Sequence, residues 1–191
     1  MIIRYCTPYS TSGNLAEAMN FEISISPKGS YVAFVDRDTI WLDPKFGHKI
    51  SEIVDKHGEA FYTCLTNRTN CEWQKAKKAI FTTGPFGGGD YCENDISNHV
   101  HYALLNWEAK KKNIKDHTDS QLWSGHLMLC PVDLWTPLTT KGLLGVDNEI
   151  HRHARDNGHR VLLMTGVYIY HYYSNFDGVG GHQKRDKTHL L

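Results

Sequence analysis

"YVAFVDRDTIWLD", Tyr31 to Asp43, is the stretch on which the reading of this chain turns. Its first five residues form a near-continuous apolar run, suited to a strand buried on both faces beneath covering helices. Asp36-Arg37-Asp38 interrupts the run, and Thr39-Ile40-Trp41-Leu42 resumes it. In an extended chain residues i and i+2 project to one side, so both carboxylates emerge together. Two like charges held close repel and are costly unless a cation neutralises them. A hard divalent ion sharing its shell with phosphate oxygens and water would explain the pair. A solvated turn capping the next segment is the plainer alternative. Strand ends of an open α/β sheet are where ligands bind, which keeps the first reading in view.

Upstream, "MIIRYCT" reads as a first strand closed by Thr7-Pro8-Tyr9, and "GNLAEAMNFEISI" as a helix. Leu15, Ala18, Met19 and Ile23 share one face of that helix, with Asn14 or Ser12 as its cap. Strand, helix and strand in this order make a βαβ unit and an α/β fold. Downstream, "GHKISEIVDKHG" reads as a helix ended by Gly58, and "AFYTCLT" as a strand. "DISNHVHYALLNWEAKKKNIKD" reads as one helix, "HLMLCPVDLW" as strand and turn, and "RVLLMTGVYIYHYY" as one or two strands. "DNEIHRHARDNGH" is a helix with Ile150 and Ala154 inward and Gly158 at its C-terminal cap. "TTGPFGGGDYCEND" is a glycine-rich surface loop without the GK[ST] ending of a phosphate-cradling loop.

The 191 residues suit one domain with a sizeable core. Apolar residues make up 40 % and charged ones 22 %, with 21 basic against 21 acidic side chains. That balance offers no phosphate-neutralising excess, so no nucleic-acid partner is expected. The five cysteines are spread without a CxxC, which speaks for buried, reduced thiols and a cytoplasmic setting. No apolar run reaches membrane-spanning length, and no transmembrane segment is expected. Asn67-Arg68-Thr69 fits a glycosylation pattern that carries little weight without a secretory signal. The pairs His99/His101 and His151/His153 are two apart and fall on different helix faces, so solvated histidines are expected rather than a zinc site.

A second constellation runs from Ser124 to His171. Asp147 opens a helix, where an acid serves as a cap or as a base, and His171 ends an aromatic strand. With "VAFVDRDTIWL" come "YCTPYSTSGNLAEAMN", "FYTCLTNR", "SGHLML…LW", "LLGVDNEIHRHARDNGHRV" and "GVYIYHYY". In content and order these pieces resemble a small GT-A-fold glycosyltransferase, near glycosyltransferase family 2 and its compact viral, phage and bacterial relatives. The resemblance implies a Rossmann-related, GT-A-like mixed sheet with helices on both faces, in a single domain over residues 1–191. Residues 1–110 would form the nucleotide-sugar and metal half, 120–175 the acceptor and catalytic half, and 176–191 a flexible polar tail.

What it implies residue by residue is as follows. Thr7, Pro8, Tyr9 and Asn14 would hold the nucleoside, and Asp36, Arg37 and Asp38 the diphosphate. Mn²⁺, or Mg²⁺, would bind Asp36, Asp38 and His171. Asp147, with Glu149 as a rival, would activate a glycan or other acceptor hydroxyl. The usual second strand with its nucleoside-contacting acid is missing, so uridine and guanosine diphosphate sugars both stay open. Val146 stands where a second acid is common, and Tyr172-Tyr173-Ser174 where an arginine is common; Lys184, Arg185 and Lys187 of the tail are candidate substitutes. Trp123, Trp135 and Tyr91 are candidate sugar stackers as well as core residues. The rivals are a haloacid-dehalogenase-like phosphatase, whose strand also ends in an aspartate pair, and a nucleotide-sugar-binding module without turnover.

Overall fold

Tyr31–Val35 forms a strand with all five side chains buried, as the apolar run requires. In chain order the elements are β1 (Ile3–Cys6), α1 (Leu15–Ser24), β2 (Tyr31–Val35), β3 (Thr39–Ile40), α2 (Phe46–His57), β4 (Phe61–Thr66), α3 (Ile96–Lys110), β5 (Ile114–Asp116), β6 (Leu127–Pro131), α4 (Val146–Asp156) and β7 (Val161–His171). The structure is a computed structural model that describes residues 1–67, 69, 71–76 and 96–171. The Gly84–Gly89 loop, Tyr91, Cys92, Tyr172-Tyr173-Ser174 and the tail with Lys184, Arg185 and Lys187 lie outside the described residues.

The sheet is mixed, with seven strands in the order β1-β2-β6-β4-β7-β3 and β5 also on β7. β1 and β2 are parallel, the βαβ unit expected, as are β4 and β7. β6 runs antiparallel between β2 and β4. Side-chain alternation in β2 divides the core. Tyr31, Ala33 and Val35 pack with Ile50, Ile53 and Val54 of α2 on one face. Val32 and Phe34 pack with Met19 of α1 and Ile150 of α4 on the other. Helices therefore cover both faces, and β2 is buried from both sides.

Three expectations are corrected. α1 buries Ala16, Met19 and Ile23, while Leu15 is half-buried at the edge of the cluster. α3 stops at Lys110 because Lys111 turns the chain with φ 43°, and Ile114–Asp116 joins the sheet against Leu162–Met164. His99 and His151 are buried rather than solvated: each has a ring nitrogen against a carbonyl or hydroxyl oxygen. Gly158 does close α4. With φ 72° it permits His159 N–H to reach Ala154 O at 2.8 Å and its own N–H to reach Arg155 O at 2.9 Å, the paired bonds of a Schellman end.

β7 is one strand of eleven residues, but its pairing is broken. Its register on β4 jumps from Cys64↔Met164 to Leu65↔Tyr168, so Thr165–Val167 bulges out. Asn106 Nδ2 donates to Thr165 O at 2.8 Å, and Thr165 N–H donates to Asn113 O at 3.1 Å. A Cβ on Gly166 would lie 2.2 Å from Lys111 O, so no larger residue fits there. Beyond the bulge β7 turns to β3, which brings His171 opposite Thr39.

Candidate metal and catalytic site

The Asp36–Thr39 segment is a tight turn. Thr39 donates to Asp36 O from its backbone N–H at 3.2 Å and from its hydroxyl at 2.7 Å. The chain then enters β3, whose pairing with β7 sets His171 beside the turn. His171 Nε2 lies 3.1 Å from Asp38 Oδ1 and 3.9 Å from Asp36 Oδ2. One donor atom from each of Asp36, Asp38 and His171 lies within 4.8 Å of the others. Asp36 is exposed, Asp38 partly so, and His171 is buried at 6 %. The turn reading and the cluster reading thus hold together: the turn is what aims both acids at the histidine.

Two residues given no role in the sequence shape this cluster. Asn67, buried just past β4, accepts His171 N–H at 2.7 Å and donates its amide to His171 O at 3.3 Å. Its side chain imitates a strand partner and fixes the histidine backbone. In the sequence it is visible only inside a glycosylation-like triplet. His126 precedes β6, and its carbonyl accepts from Asp36 N–H at 3.4 Å. Its Nε2 faces Cys64 O at 3.0 Å, so that nitrogen carries the proton. Burial first, and then the neighbouring His171, push its pKa down to about 3. His126 is therefore neutral near pH 7 and adds no positive charge beside the Asp36-Asp38-His171 group. Its Nδ1 has no partner among the described residues.

The set fits a hard divalent ion: two carboxylates and one imidazole suit Mn²⁺ or Mg²⁺ and leave coordination positions for other oxygens.

Asp147 lies in the first turn of α4 against Gly125, where a Cβ would be 3.7 Å from its Oδ2. Burial, opposed by the Asn148 N–H and reinforced by the Asp36 carboxylate, raises its carboxyl above the usual range. The Asp36 carboxylate is thus among the charges that Asp147 feels. Glu149 is apart from this group. Its carboxylate is 2 % exposed and accepts Thr139 N–H at 2.9 Å, Thr139 O–H at 2.8 Å and Thr140 N–H at 2.9 Å. It anchors a loop.

Thr7, Pro8 and Tyr9 leave β1 at the same sheet end as Asp36, because the parallel register pairs Cys6 with Phe34. Tyr9 is 83 % exposed there. Asn14 caps α1, accepting from Glu17 N–H at 3.4 Å, and Arg37 is exposed at the turn. Trp123 is buried, and Trp135 packs on Phe34 while its indole donates to Asn20 at 3.0 Å. Both are packing residues.

Comparison with protein-family models and with characterised proteins gives no match for this chain. The class defined by the structure itself is a single α/β domain with a mixed, open sheet, carrying an Asp-Asp-His group able to hold a metal. No described helix is long and apolar enough to cross a membrane.

Proposed function

We propose that this chain is a metal-dependent glycosyltransferase of GT-A-like fold. It moves a sugar from a uridine or guanosine diphosphate sugar to an acceptor hydroxyl, with inversion. The observation that carries this reading is the convergence of Asp36, Asp38 and His171 at one sheet end, with Asp147 as an electrostatic neighbour of Asp36.

Bound Mn²⁺ or Mg²⁺ supplies charge neutralisation for the departing diphosphate. Asp36, Asp38 and His171 would hold it, and Asn67 keeps His171 in place. Thr7–Tyr9 form the adjoining edge for the nucleoside. The Asp147 carboxylate accepts the acceptor hydroxyl's proton while that oxygen bonds to the anomeric carbon. The bond from the anomeric carbon to the diphosphate oxygen breaks, and its electron pair leaves with the nucleoside diphosphate. A single displacement of this kind inverts the anomeric centre.

The test is calorimetric titration of UDP and GDP with and without Mn²⁺, followed by a nucleotide-sugar screen for donor hydrolysis. The reading expects manganese-dependent binding that Asp38→Asn abolishes. Equal binding by the wild type and Asp38→Asn overturns it, and metal-dependent hydrolysis of a simple phosphate ester without any sugar nucleotide points to a phosphatase.

A further inference from the structure

We infer that His126 is a positioning residue of the proposed metal group. Its Nδ1 accepts a hydrogen bond from a water that the ion holds alongside Asp36, Asp38 and His171. This role rests on the metal part of the reading above and is independent of which donor or acceptor is used.

His126 is fully buried, immediately before β6, and is tied to the group at two points. Its carbonyl accepts the Asp36 N–H at 3.4 Å. Its ring lies 6.3 Å from that of His171, with the planes 34° apart. The preceding residue, Gly125, lies against Asp147. One short segment thus borders the metal acids, their histidine and the proposed base.

The state of the ring is set by the sheet. Cys64 is the last residue of β4 before its register on β7 jumps, and its carbonyl faces His126 Nε2 at 3.0 Å. A carbonyl only accepts, so the ring proton sits on Nε2 and Nδ1 presents a lone pair. That lone pair is shut off from solvent and has no partner among the described residues. A buried acceptor without a donor is a net cost to the fold, and such atoms are rare in native proteins. The Nε2 contact alone would account for a packing histidine; the orphaned Nδ1 is what calls for a missing donor.

The group itself does not provide that donor. Ionised Asp36 and Asp38 only accept, and His171 turns its Nε2 to Asp38. Three protein ligands leave an octahedral Mn²⁺ or Mg²⁺ with positions for water, and a divalent ion makes its water a stronger donor. His126 is outside the set of donor atoms that lie within 4.8 Å of one another. Ligands about 2.1 Å from one ion are at most about 4.2 Å apart, so this spacing fits a bridging water and not a direct bond.

The two ring nitrogens can be tested separately, because a glutamine amide reaches as far as Nε2 and an asparagine amide only as far as Nδ1. His126→Gln keeps a donor for Cys64 O and removes the inner acceptor; His126→Asn keeps that acceptor and gives up the Cys64 contact. Calorimetry with Mn²⁺ alone reads affinity, and urea unfolding of the metal-free proteins reads stability. His126→Gln should bind Mn²⁺ about 10–100-fold more weakly than the wild type while resisting urea equally well. His126→Asn should unfold at lower urea yet bind Mn²⁺ more tightly than His126→Gln does. In wild-type protein ¹⁵N-labelled at histidine, saturating Mg²⁺ should move the His126 Nδ1 signal and leave its Nε2–H in place. This last measurement does not depend on a variant folding. Wild-type affinity in His126→Gln, an affinity order that follows stability, or an unmoved Nδ1 signal makes His126 a packing residue and leaves the metal group standing. A wild type that binds neither Mn²⁺ nor Mg²⁺ overturns the metal group, and this role with it.

Discussion

Glu149→Gln separates a catalytic from an architectural carboxylate. Burial alone would raise the Glu149 carboxyl, but hydrogen bonds from Thr140 and Thr139 outweigh it and hold the pKa at about 2 against the ordinary 4.5. At about 1.4 kcal/mol per pKa unit, this difference is worth about 3 kcal/mol of folding stability at pH 7. A glutamine keeps one accepting oxygen and turns an N–H₂ toward a donor it replaces as acceptor, so the contribution is lost. Because the folded pKa is depressed, the stabilisation is complete above about 4.5 and fades as pH falls toward 2. Linkage makes the gap between wild type and variant about 3 kcal/mol at pH 7 and about 1.4 kcal/mol at pH 3. Urea unfolding at both pH values measures the gap. A difference under about 0.5 kcal/mol at pH 7, or one that does not narrow in acid, refutes the reasoning. Transfer lost with stability intact would return Glu149 to the role of base.

Other substitutions probe separate parts of the design. Asn67→Ala should weaken manganese binding about 10–100-fold by releasing the His171 backbone, with the circular dichroism spectrum unchanged; calorimetry reads the loss. Asp147→Asn should leave metal-dependent nucleotide binding at the wild-type level and abolish sugar transfer, as followed by nucleoside diphosphate release in the presence of acceptor. Gly166→Ala should cost about 3 kcal/mol because its methyl meets Lys111 O, lowering the melting temperature by roughly 6–12 °C.

Much of the fold was legible because its signals are local. The run Tyr31–Val35 announces a strand buried on both faces, and Gly158 announces the end of α4. Asp36 and Asp38 were legible as a pair by their spacing, but a tight turn rather than an extended chain aims them at His171. What the sequence concealed depends on distant partners. Asn67 meets His171 across 104 residues, and nothing in its neighbourhood states that it serves as a surrogate strand. His126 sits at the head of an apolar run like any core histidine, and its neutrality comes from burial that only the packed sheet provides. β5 was read as helix because Lys110–Lys112 continues a helical composition; the positive φ of Lys111 and the pairing with β7 override it. Glu149 looked like a catalytic acid because it shares a helix turn with Asp147, yet its side chain turns to the Thr139–Thr140 amides.

The third member of the proposed metal group arrives late. His171 lies 133 residues after Asp38 and reaches it only through the short ladder between β3 and β7. A nascent chain leaving the ribosome therefore displays both aspartates long before their histidine exists. Cation capture by this group would in this way wait for translation of β7, and a product interrupted before it would carry the acids without a usable centre.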